Sequence, residues 1–286
     1  MTLKTIYIVR HGYRSNWLPV EQQVPSPTGV DSDPPLAPHG VDQANQLADF
    51  VAEKLSPKPE LIFSSPFYRC VETITPTADR LDLDIFPDRG IGEWYKPTRG
   101  IIPIPAGHKI LSSFFSRVSD DWNWNTVVPL ETGETEEQIF NRCKVFWDRF
   151  FLKLEKSYPD VETILLATHA ATKIALGMSL MGYDSNRDFL GPENGGDGKT
   201  TIIESCTCSL DKYSLNLNTN VWNLKINGET KYLVSGAEMN WHYCTSQFEA
   251  GSKEDVEARM QQEGEGEGEA CPVSSGTGSS RSFSKL

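Results

Sequence analysis

Short apolar runs alternate along this chain with segments of helical spacing, and the alternation restricts the fold more than any other feature. Leu3 to Val9 is apolar and β-branched, as a buried strand requires. Val41, Ala44, Ala48, Val51, Ala52 and Leu55 follow at helical spacing, up to Pro57 and Pro59. Leu61 to Phe63 is a second strand, then Phe67, Cys70, Val71, Ile74 and Ala78 mark a second helix, which Pro76 should kink or shorten. Residues 86–130 are irregular and rich in Pro, Gly and Trp, with a short helix expected from His108 to Val118. A long helix is predicted from about Glu134 to Tyr158, with Ile139, Cys143, Phe146, Phe150 and Leu154 facing inward. A strand at Glu162 to Ala167 and a helix at Ala170 to Met181 come next. Strand-like runs follow at 201–208 and 221–226, with Asn227-Gly228 as a hairpin turn. The pattern predicts a single α/β domain, a mostly parallel central sheet flanked by helices on both faces. Its expected extent is residues 1–248. From 249 to 286 Glu, Gly and Ser dominate, which predicts a disordered acidic tail.

The net charge of −12 makes the chain a poor general binder of nucleic acid or of an anionic membrane. No run approaches the length of a membrane span. The sequence opens directly on a strand pattern, without the apolar core of a signal peptide, so a cytoplasmic or nuclear protein is expected. Cys70, Cys143, Cys206, Cys208, Cys244 and Cys271 include no Cys-x-x-Cys pair. They read as free thiols in a reducing compartment, not as a metal site.

In an open α/β sheet, ligands bind at the carboxyl ends of the strands. The first strand ends in Arg10-His11-Gly12-Tyr13-Arg14, the second in Ser64-Ser65-Pro66 with Arg69 one turn into the helix, and the third in Thr168-His169. Two imidazoles and three guanidinium groups thus converge on one sheet edge of an acidic chain. A neutral imidazole is a competent nucleophile, and guanidinium forks match the oxygens of a phosphoryl group.

The ordered set Arg10-His11-Gly12, Pro35-Leu36-x-x-x-Gly40-x-x-Gln43-Ala44, Ser65-Pro66-x-x-Arg69-Cys70-x-x-Thr73 and Thr168-His169-Ala170 resembles the histidine phosphatase, or phosphoglycerate-mutase-like, superfamily. Arg14 and Ile91-Gly92-Glu93-Trp94 resemble the branch that contains the suppressor-of-T-cell-receptor-signalling phosphatases, and segment 10–19 resembles still more the fungal branch that includes the phosphatase-like domain of the tau-55 subunit of TFIIIC. The resemblance implies that His11 accepts the phosphoryl group and that Arg10, Arg14, Arg69 and His169 form the phosphate pocket. It implies Glu93 as proton donor and then base, with no cofactor and no metal. Glu134 is the rival of Glu93, although beside Thr135 it reads first as a helix-start carboxylate. Trp17 and Trp94 flank the chemistry and are candidate substrate contacts; the other aromatics read as packing. Tyr13 stands where the mutases have Glu, which favours hydrolysis over isomerisation. The expected activity is a metal-independent phosphomonoesterase acting on a small molecule or a phosphoprotein. The alternative is a phosphatase-like scaffold whose partners are TFIIIC subunits.

Overall fold

The computed structural model describes residues 2–244, 248, 252 and 254–258. The elements run β1 (Thr5–Arg10), α1 (Pro38–Glu53), β2 (Leu61–Ser64), α2 (Tyr68–Leu81), β3 (Ile85–Pro87) and α3 (His108–Phe114). They continue with α4 (Glu136–Ser157), β4 (Thr163–Thr168), α5 (Ala170–Leu180), β5 (Leu210–Asn216) and β6 (Val221–Glu229). One six-stranded sheet has the order β3-β2-β4-β1-β5-β6. The first four strands in that order are parallel, and β5 runs antiparallel to both β1 and β6.

Alternation along the central strands divides the core in two. Ile6, Ile8, Phe63, Ile164 and Leu166 face α4 and α5, where Phe146, Phe150, Ile174 and Ala175 pack on them. Tyr7, Val9, Ile62, Leu165 and Ala167 face the other way, onto Leu47, Val51, Val71, Ile74 and Leu111 of α1, α2 and α3. Helices therefore cover both faces, as the strand–helix alternation predicts. Because β2, β4 and β1 are neighbours, the three strand ends that carry Ser65, His169 and His11 lie side by side.

Four local expectations are corrected. Residues 201–208 form no strand; they run as irregular chain and a turn, with Cys208 at a left-handed φ of 51°. The hairpin turn is Asn216 to Asn220, not Asn227-Gly228, and the Asn216 side chain accepts the N–H of Asn218 at 3.0 Å. Gly228 lies inside β6, where its N–H donates to Asp211 Oδ1 at 2.7 Å across an irregular stretch of register. Pro76 does not shorten α2, which continues to Leu81; one lost N–H is outweighed by burial of Val71, Ile74 and Ala78. Within the stretch expected to be a tail, residues 254–258 are helical and Val256 is buried against Trp17 and Met239. A single Val among acidic residues gives no periodic signal; its burial depends on an apolar surface elsewhere in the chain. The rest of 249–286, apart from residue 252, lies outside the described residues.

Helix α5, which follows His169, is locked to the sheet by a buried ion pair. Lys173 Nζ lies 2.7 Å from Asp211 Oδ2 on β5, and both side chains are fully buried. Asp211 also accepts from Tyr213 Oη at 3.0 Å, and Lys173 donates to the Glu204 carbonyl at 2.6 Å. Removing one partner of such a pair leaves an uncompensated buried charge. Lys173→Met is expected to lose about 3–5 kcal/mol of stability in urea unfolding, and Lys173→Met with Asp211→Leu to recover most of it. A loss below about 1 kcal/mol in the single variant would mean that Asp211 finds other compensation.

Candidate active site

Each site residue is delivered by an element end. His11 follows β1, and its N–H donates to the Thr168 carbonyl at 2.9 Å, continuing the β1–β4 ladder one residue past the strand. Gly12 comes next; its N–H donates to Thr73 Oγ1 at 3.0 Å, and a Cβ there would stand 2.8 Å from the Gly40 carbonyl oxygen. Only glycine permits this approach of α1 to the loop. Arg69 is set in the first turn of α2, and His169 is the residue before α5.

These groups meet in one buried cluster. The His11 and His169 rings pack edge to face with centroids 5.4 Å apart. Arg69 Nη2 lies 3.1 Å from His169 Nδ1 and donates to Glu93 Oε2 at 3.2 Å; its Nη1 donates to Asp33 Oδ1 at 3.0 Å. His169 Nδ1 is 3.1 Å from Glu93 Oε2, and its Nε2 is 2.7 Å from Ser65 Oγ. Arg10 donates to the carbonyls of Ser205 and Met239. Arg14 Nε donates to Asn16 Oδ1 at 3.1 Å. The Arg10 and Arg14 guanidinium carbons lie 5.6 and 5.2 Å from the Trp17 ring centroid. Each of the six expected site residues is at most 5% exposed, so the cluster is closed from solvent. Trp17 forms part of the cover, with Tyr13, Met239 and Val256 packed on it.

His11 Nδ1 stands 2.8 Å from the Gly12 carbonyl, which can only accept. Nδ1 therefore carries the hydrogen, and Nε2 keeps a lone pair. Burial holds the His11 pKa well below its ordinary 6.5, reinforced by Arg69, Arg10, His169 and Arg14. Burial likewise pushes His169 down to about 4, against the pull of Glu93. Arg14 is lowered by burial to about 10 and stays charged at neutral pH. Burial alone would raise Glu93; His169, Arg69 and Arg14 hold it far below the usual carboxylate range.

Three guanidinium groups thus face two carboxylates, Asp33 and Glu93, and the surplus favours an anion. Ligand atoms of His11, Glu93 and His169 lie within 4.8 Å of one another, a spacing a metal ion accepts. The guanidinium groups around them oppose a dication there, so the donor set fits a phosphate better than a metal.

The family model of the histidine phosphatase superfamily, branch 1, matches residues 6–189. The chain belongs to this superfamily. It is also 49% identical over 284 residues to the transcription factor tau 55 kDa subunit of Saccharomyces cerevisiae. That match takes in 91% of this chain and 63% of the relative, so the chain spans less than two thirds of the relative's length. Among solved structures, the ecdysone phosphate phosphatase of Bombix mori, in complex with tungstate, superimposes with a TM-score of 0.54 at 18% identity, over 79% of this chain and 93% of that one. Bacillus stearothermophilus YhfR follows with a TM-score of 0.50 at 15% identity, over 80% and 98%. At these identities the two structures show the fold.

In this member of the superfamily the structure brings together all six residues expected from the sequence. Two partners were not foreseen. Asp33 pairs with Arg69, yet nothing in the Pro- and Asp-rich loop distinguishes it from Asp31. Glu134 does not reach the cluster as a rival of Glu93; its carboxylate is bound to Arg142, with Nε donating at 2.8 and 3.1 Å. No spacing rule links those two residues to residue 93.

In a pH titration followed by histidine ring NMR, His11 is expected to stay flat between about pH 8 and about 5.5, where an ordinary histidine takes up its proton. Assignment comes from the signal lost in His11→Asn. An inflection near 6.5 would show that solvent screens the arginines. His169 adds a linkage effect: between about 6.5 and about 4 the unfolded chain binds a proton that the folded chain refuses. Its contribution to stability is therefore complete above 6.5 and is lost as pH falls toward 4.

Proposed function

We propose that the protein is a phosphomonoesterase that works through a phosphohistidine on His11. The observation that carries this is an imidazole with its Nε2 lone pair free, held neutral inside a cage of three guanidinium groups. The phosphate of the substrate binds among Arg10, Arg14 and Arg69. Its negative charge offsets the arginines and raises the affinity of Glu93 for a proton, reversing the depression of the empty site. His11 Nε2 then attacks phosphorus in line. The N–P bond forms as the bond to the leaving oxygen breaks, and Glu93 gives that oxygen its proton. In the second step water attacks phosphorus, Glu93 takes a proton from that water, and cleavage of the N–P bond returns the lone pair to His11 Nε2 and releases inorganic phosphate. His169, held by Ser65, stands beside the transferring group and helps to stabilise it, and the arginines supply the charge stabilisation that other phosphatases obtain from metals. Substrate enters by displacing part of the cover that includes Trp17.

A second reading rests on a separate observation, the 49% identity to the tau 55 kDa subunit. Under it the domain also serves as a nuclear assembly subunit whose partners are other subunits of that transcription factor. The two roles use different surfaces and are compatible, because the phosphate cluster lies inside the domain.

Hydrolysis of p-nitrophenyl phosphate in the presence of a chelator is the test. Wild-type protein is expected to turn over, and His11→Ala to lose about 10⁴-fold or more, since the variant lacks the imidazole that forms the covalent intermediate. Quenching in alkaline detergent is expected to trap, on the wild-type chain alone, phosphate that survives base and is lost in acid. Equal rates for the two proteins would sink the covalent mechanism. An inactive wild type across pH 5–8 would leave assembly as the function, to be checked by co-purification with the other transcription factor subunits.

A further inference from the structure

Glu93 sits on an irregular segment, where no regular ladder fixes a side chain. The backbone on both sides of it is nevertheless tied down. Arg142 Nη1, from α4, donates to the carbonyls of Gly90 at 2.8 Å and Gly92 at 3.2 Å. The Ile91 carbonyl accepts from Thr168 Oγ1 at 2.7 Å, and Gly92 accepts a second bond from Thr172 Oγ1 at 2.8 Å. The Gly90 N–H donates to Asp88 Oδ1 at 2.8 Å. Gly90 lies so close to α4 that a Cβ would stand 2.5 Å from the Phe146 ring. Beyond Glu93, Trp94 Nε1 donates to the Glu134 carbonyl and the Glu134 N–H to the Tyr95 carbonyl, both at 2.8 Å. Arg142 and Glu134 are 5% and 3% exposed, and their side chains pair with each other.

We propose that Arg142 is a positioning residue, which sets the reach of the Glu93 carboxyl group toward the leaving oxygen by holding the carbonyls on both sides of Ile91. The proposal rests on the phosphatase function given above. The fork geometry explains why arginine occupies this place: one nitrogen spans two carbonyls while Nε turns to Glu134. A lysine reaches a single acceptor. Glu134 keeps the guanidinium oriented, and with both oxygens on Nε it acts as a counter-ion. Releasing the strap lets the carboxyl group drift, and a displacement of about 1 Å costs on the order of 100-fold in the step that needs it.

Proton donation matters when the leaving oxygen is basic and little when it is not. p-Nitrophenolate departs without a proton; an alkoxide does not. The experiment compares kcat/KM on p-nitrophenyl phosphate and on glycerol phosphate for wild type, Glu93→Gln, Arg142→Lys and the double variant Arg142→Met with Glu134→Gln. The double variant leaves no unpaired buried carboxylate, and Arg142→Lys serves if it does not fold. The expected result is a loss of about 30- to 100-fold on glycerol phosphate and less than about 3-fold on p-nitrophenyl phosphate in the Arg142 variants, with Arg142→Lys the milder. Glu93→Gln is expected to show the same bias more strongly. Equal losses on both substrates, or no loss, overturn the positioning role while the phosphatase function stands. Wild type inactive on both overturns that function, and this proposal with it.

Discussion

Three guanidinium groups and two imidazoles are buried together at one edge of the sheet, and much of the molecule is arranged around that concentration of positive charge. Taking a charge out of water costs several kcal/mol per ion unless partners compensate it. Asp33 and Glu93 compensate Arg69, backbone carbonyls compensate Arg10, and the face of Trp17 lies near both Arg10 and Arg14. The compensation is partial. What remains is a field that keeps both imidazoles neutral and the Glu93 carboxylate ionised. Under the proposed function, an entering phosphate would meet a site whose electrostatics are set before it arrives, which is the condition for preorganised catalysis.

Rigid surroundings make that field possible. The two apolar layers clamp β1, β2 and β4 from opposite sides, so three strand ends keep their spacing. Behind them, Lys173 and Asp211 tie α5 to β5, and Arg142 with Glu134 ties the segment before Glu93 to α4. Both pairs are fully or almost fully buried, and neither is part of the phosphate cage. Each joins an element that carries a site residue to a neighbour that does not. Polar pairs of this kind confer geometry more than stability, since an apolar replacement of similar volume can hold the same elements together without fixing their register.

Membership of a phosphatase superfamily and close similarity to a transcription factor subunit meet in one chain. Physically the two do not compete. The cluster of guanidinium and imidazole groups is internal and closed, whereas a protein partner would meet outer surface. The cover over the cluster includes Val256, which comes from the acidic C-terminal stretch. Residues far from the motifs thus touch the aromatic ring that packs beside His11.

Period and position made part of this protein legible in one dimension. Apolar runs of strand length, helical spacing between them, and the His and Arg residues at strand ends identify a covered parallel sheet and five residues at its edge; Glu93 follows only from the resemblance to the superfamily. Those features are local, so neighbours in sequence carry them. The irregular span 86–130 was not legible, because its order comes from bonds such as those of Arg142 to Gly90 and Gly92, made 50 or more residues away. Residues 201–208 are apolar enough to resemble a strand, but β5 takes the place beside β1 and leaves them as irregular chain. Glu134 and Glu93 were rivals on paper, since both are acidic residues in plausible stretches. Only the folded chain separates them: one carboxylate meets His169 and Arg69, and the other meets Arg142. Sequence alone determined which groups would be delivered to the sheet edge; the tertiary structure decided which of them share a charge field, because that depends on distances between residues remote along the chain.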